Sequence, residues 1–83
     1  LDQVIDRVVS VHVADTAVFG ELKPVEIGTG IAPIAACLLK LVAHGWDGWL
    51  CIEEASFHGQ QGIAAAARFV RAAWQQARIA AAA

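Results

Sequence analysis

The sequence predicts an α/β fold with a parallel sheet, and three observations predict it. Two short runs of apolar and β-branched residues, VVSVHVA at 8–14 and WLCIE at 49–53, read as strands. Each is followed by a loop and then by apolar residues at helical spacing. Neither run alternates cleanly between apolar and polar positions, which is the pattern of parallel strands covered on both faces.

The elements follow in order. Residues 2–7 (DQVIDR) look like the end of a helix. In the first strand Val9, Val11 and Val13 face one way, and Ser10, His12 and Ala14 the other. Residues 15–32 hold Gly20, Pro24, Gly28 and Gly30 and read as a loop. Pro33 suits a first helical turn; Ile34, Cys37, Leu38, Leu41 and Val42 then recur at helical spacing, and Gly45 supplies a stop. After the second strand comes a polar loop at 54–61, then a long helix over 61–79. Ile63, Ala66, Ala67, Val70 and Trp74 are its expected buried stripe. The order makes two successive βα units.

Composition sets the limits. Eighty-three residues make at most one small domain, and 58 % hydrophobic with 17 % charged excludes disorder. The chain is more apolar than a free-standing unit of this size would be, and it contains no methionine. Residues 1–83 are therefore expected to be an incomplete domain, which self-associates or meets the missing part of its fold. A net charge of -2, with six Lys plus Arg spread along the chain, disfavours nucleic acid. No apolar run reaches the ~18 residues of a membrane span, and no signal peptide is visible. Cys37 and Cys51, in a helix and a strand, read as buried free thiols of a reducing, cytoplasmic setting.

The stretch GWDGWLCIEE at 45–54 raises the functional question, because an apolar strand ends on two adjacent carboxylates. A buried carboxylate is costly unless it is paired or meets a cation. If Val11 and Leu50 face the helices, His12 and Glu53 both point to the other side. In a barrel that side is the interior, and active sites sit at its C-terminal rim. An imidazole and a carboxylate there would be metal ligands or an acid/base pair. The plainer readings are a satisfied structural histidine and a solvated glutamate. Glu54 has the opposite parity. Gly28 and Gly30 would let backbone approach a ligand or form a plain turn; with Asp15 they are the candidate substrate-binding residues. His44 is expected to cap helix carbonyls, and His58 to face solvent. Trp46 is expected to pack in its turn, with Arg68, Arg71 and Arg78 on a solvated helix face.

In sequence, VHVAD at 11–15, IGTG at 27–30 and GWDGWLCIEEAS at 45–56 resemble the C-terminal end of the xylose-isomerase-like TIM barrels. These are the sugar phosphate isomerases and epimerases and their relatives. The resemblance covers nearly the whole chain and implies the last two βα units of a (β/α)8 TIM barrel. It implies one divalent cation (Mn, Mg, Co or Zn) held by His12 and Glu53, together with a Glu and an Asp from earlier strands. By the same resemblance Glu53 takes part in proton transfer beside the carbonyl of a small-molecule sugar, through a metal-stabilised enediolate. The chain departs from the family pattern at Thr29, where an acidic residue is usual, and at Ala14, where lysine is common. The Glu and Asp of earlier strands are not in this sequence. A non-catalytic truncated remnant or docking subunit is the alternative. An inosose-type dehydratase, or a zinc-dependent abasic-site endonuclease, would use the same fold.

Overall fold

The computed structural model describes residues 1–21 and 23–82. After a single 3-10 turn at Ile5–Arg7 come β1 (Ser10–Val13), a small hairpin of β2 (Asp15–Thr16) and β3 (Pro24–Val25), and α1 (Ile34–Ala43). Then follow β4 (Trp49–Ile52) and α2 (Gly59–Ala82). β1 and β4 are adjacent and parallel, with Val11 opposite Leu50 and His12 opposite Cys51. The molecule is thus a small α/β unit: a two-stranded parallel sheet with α1 and α2 packed together against one face.

The core lies between sheet and helices. Val13, Ile34, Leu38, Leu41, Ala66 and Val70 are buried, joined by Ile5 from the 3-10 turn and Ile27 from the loop before α1. Val11, Leu50 and Ile52 are partly buried against it, so the odd residues of β1 and the even residues of β4 face the helices. Burying a branched aliphatic side chain contributes about 1.5–3 kcal/mol. Leu38 and Leu41, each 1 % exposed, are therefore the main anchors of α1.

The ends of α1 differ in kind. At its start Pro33 occupies the cap and no side chain caps the helix, as the lack of a polar residue there predicts. Its end is a Schellman turn, in which the N–H groups of Gly45 and Trp46 donate to the carbonyls of Val42 and Leu41, both at 3.0 Å. Gly45 sits at φ +78°, a conformation that costs a residue with a Cβ roughly 1–2 kcal/mol. Trp46 then folds back, with its indole N–H donating to the Val8 carbonyl at 2.8 Å and its ring edge-on to Trp74 at 6.4 Å.

That indole contact explains why β1 starts at Ser10 and not at residue 8. The Val8 carbonyl bonds a side chain instead of a ladder partner, and Val9 is 81 % exposed. The expected loop at 15–32 contains the β2–β3 hairpin, closed by Thr16: its hydroxyl donates to the Glu21 carbonyl at 3.0 Å and accepts from the Lys23 N–H at 3.2 Å. In α2 the buried stripe is Gly62, Ala66, Val70 and Ala77, and Ile63 is 56 % exposed. The stripe is one residue out of phase with the expected one because Gly62, which has no side chain, lies against Glu54 and Ser56. Cys37 is exposed and Cys51 half-buried, so neither is the buried thiol that composition suggests. No helix of the described residues is long and apolar enough to cross a membrane.

Candidate functional site

Residues on the sheet face away from the helices are Ser10 and His12 of β1, with Trp49 and Cys51 of β4 and Glu53 just beyond it. The Glu53 N–H donates to the Val13 carbonyl at 2.8 Å, which carries the ladder one residue past β4. That bond fixes where Glu53 leaves the sheet and places its carboxylate beside the neighbouring strand. Nδ1 of His12 meets Oε1 of Glu53. Both side chains are 58 % exposed, so the pair lies at an open surface.

Glu54 goes the other way. It is half-buried, and Oε1 accepts from the Ser56 N–H at 3.0 Å. The two adjacent glutamates are thus inequivalent: Glu53 meets an imidazole on the open face, and Glu54 braces the turn into α2.

An imidazole nitrogen and a carboxylate oxygen are donors that a divalent cation of the zinc or manganese type accepts. Among the described residues no group of three His, Cys, Asp or Glu side chains converges to hold a metal ion. His12 and Glu53 therefore fit such a cation as part of a coordination set, with its other donors supplied from beyond these residues.

Asp15, Gly28 and Gly30 are brought together, in an arrangement the sequence did not disclose. Oδ2 of Asp15 accepts the Gly28 and Gly30 N–H groups at 2.9 and 3.0 Å, and Oδ1 accepts those of Thr16 and Ala32, both at 2.9 Å. Burial pushes the Asp15 carboxyl up, but the donors of Ala32, Gly30, Gly28 and Thr16 outweigh it and hold the group below its ordinary value. The glycine amides therefore face Asp15 and are engaged within the protein. Asp15 is the clasp of the loop leading into α1, which corrects its reading as a substrate contact. Gly28, at φ +96°, also lies under the Phe69 ring, which a Cβ there would meet at 2.6 Å.

Two further histidines bridge elements. Nε2 of His44 pairs with Asp6 at 2.7 Å, so its side chain ties the 3-10 turn to the end of α1 and does not cap carbonyls. Nδ1 of His58 lies 3.2 Å from Oε2 of Glu26 across a shallow cleft that also includes Thr29 and Ser56. Reading by residue missed Glu26, because only the folded loops bring it to His58. No family model, no curated protein and no solved structure matches the chain.

Proposed function

We propose that this chain supplies part of the active site of a divalent-metal-dependent sugar isomerase or epimerase, as the last two βα units of a (β/α)8 barrel. The contact between His12 and Glu53 carries the reading: it joins an imidazole and a carboxylate from adjacent parallel strands, at their C-terminal ends. The resemblance of VHVAD and GWDGWLCIEEAS to the closing segment of those barrels supports it. His12 and Glu53 would hold the cation, which when bound would polarise a ketose carbonyl and its neighbouring hydroxyl. The Glu53 carboxylate takes the proton from the carbon beside the carbonyl and returns it to the adjacent carbon or the opposite face. Hydrogen bonding to His12 orients that carboxylate. Glu54, braced on Ser56, takes no part in the transfer.

The test uses the full chain and three variants. Cobalt(II) binding is measured by calorimetry, and deuterium uptake from D2O next to a ketose carbonyl by NMR. Glu53→Gln is expected to abolish both, and His12→Ala to weaken cobalt binding. Glu54→Gln should stay within about tenfold of the parent, since groups that only support a ligand typically contribute ~10–100-fold. Loss in Glu54→Gln with retention in Glu53→Gln would overturn the assignment. A non-catalytic docking subunit is the second reading, favoured by the finding that the described residues assemble no third donor. A chain that binds no cobalt(II) and exchanges no deuterium supports it.

A further inference from the structure

The β1–β4 sheet has two strands, and among the described residues neither outer edge is paired. Each edge is backed by an apolar groove. Beside β4, an open cleft of about 560 Å³ runs between the strand and α2, lined by Leu50, Ile52, Trp46, Val70 and Trp74. Beside β1, one of about 210 Å³ lies between the strand and α1, lined by Val11, Val13, Ile34, Leu38 and Leu41. Natural edge strands are commonly guarded by lysine, proline or an inward charge. β1 reads SVHV and β4 reads WLCI, with no such residue.

We propose that the two edges recognise each other: the β1 edge of a second copy of this chain docks in parallel on the β4 edge of the first. Three features select a second copy as the occupant. Both strands run in the same direction, so a β1 edge offered to a β4 edge gives the parallel pairing that these strands already make within one chain. Both helices lie on the same face of the sheet, so α1 of the incoming copy arrives beside α2 of the first, repeating the α1–α2 packing of a single chain. Finally, the incoming copy sets a second His12 and Glu53 on the same open face, where one chain offers only two donors.

The contact is head-to-tail, so it covers one edge and presents another, and it repeats until the rotation closes. Parallel strands with helices on one face close as an eight-stranded barrel, which four copies would supply.

The experiment is native mass spectrometry on the wild-type chain and two variants. Cys37→Glu puts a charge at the β1 groove, where Cys37 is exposed, and Ala67→Glu puts one at the β4 groove. Circular dichroism confirms that each is folded, and Arg71→Glu, at an exposed residue of the same groove, replaces Ala67→Glu if that variant does not fold. The wild type is expected to assemble beyond a dimer, with four copies at closure. Each variant alone is expected to be monomeric. Mixed in equal amounts, they are expected to form a dimer with one copy of each, because one intact β1 edge then meets one intact β4 edge. A wild type that stays monomeric or stops at a dimer overturns the proposal, as does a mixture with no mixed dimer. The collection of His12 and Glu53 rests on the isomerase reading, but the masses do not: assembly without cobalt(II) binding refutes the metal site and leaves the docking intact.

Discussion

Asp15 is a buried carboxylate with no cation beside it, and four backbone N–H groups do the work of one. Hydrogen bonds to a charged group each contribute about 1.5–3 kcal/mol net. Asp15→Asn keeps one acceptor oxygen but turns an amide N–H2 toward two of the donors. It is expected to destabilise the chain by about 2–4 kcal/mol in urea denaturation. Because the folded carboxyl lies below its unfolded value of about 3.9, its contribution is complete above that pH and is lost as pH falls through the folded value. The stability gap between parent and variant should therefore hold from neutral pH to about pH 5 and narrow below about pH 4. A gap that does not narrow on acidification would show that the charge of Asp15 is not what the amides hold.

Among the elements, the turn into α2 is the least relaxed. Phe57 adopts φ +66° with its ring 95 % exposed, so the left-handed conformation is not offset by packing. Phe57→Gly is expected to raise stability by up to about 1 kcal/mol, measured by thermal unfolding. Gly45→Ala, in the Schellman turn of α1, is expected to lower it by about 1–2 kcal/mol. The features with a local signature were legible in the sequence. A period of two placed His12 and Glu53 on one face, and a glycine after a run of helical spacing ended α1. The phase of α2 was not, because 64–67 is all alanine and several stripes score alike; Gly62 against Glu54 decides it in three dimensions. The β2–β3 hairpin was hidden for a related reason: strands of two residues carry no period, and the Thr16 side chain holds them. Nor could the Asp15 clasp be read, since its donors are backbone groups that any residue would supply.

At the scale of the whole molecule, folding and association are linked wherever exposed strand edges pair between copies. A chain whose native form is an assembly unfolds at a midpoint that rises with protein concentration. Calorimetry over a range of concentrations should show that rise for the wild type and a constant midpoint for Cys37→Glu. The clasp has a consequence for how this molecule tolerates change. Asp15 reaches Ala32, 17 positions along the chain, and Thr16 accepts the Ile31 N–H, so both ends of the excursion between β1 and α1 are fastened at its base. The tip around Phe19 and Gly20 hangs outside that fastening, with Phe19 94 % exposed and Gly20 meeting no neighbour. Lengthening a flexible loop costs only about 0.6 kcal/mol per doubling. The tip is therefore a graft point: a foreign peptide or small domain inserted at Gly20 would be carried on a stalk already tied at its root, and the parent fold would not register its length.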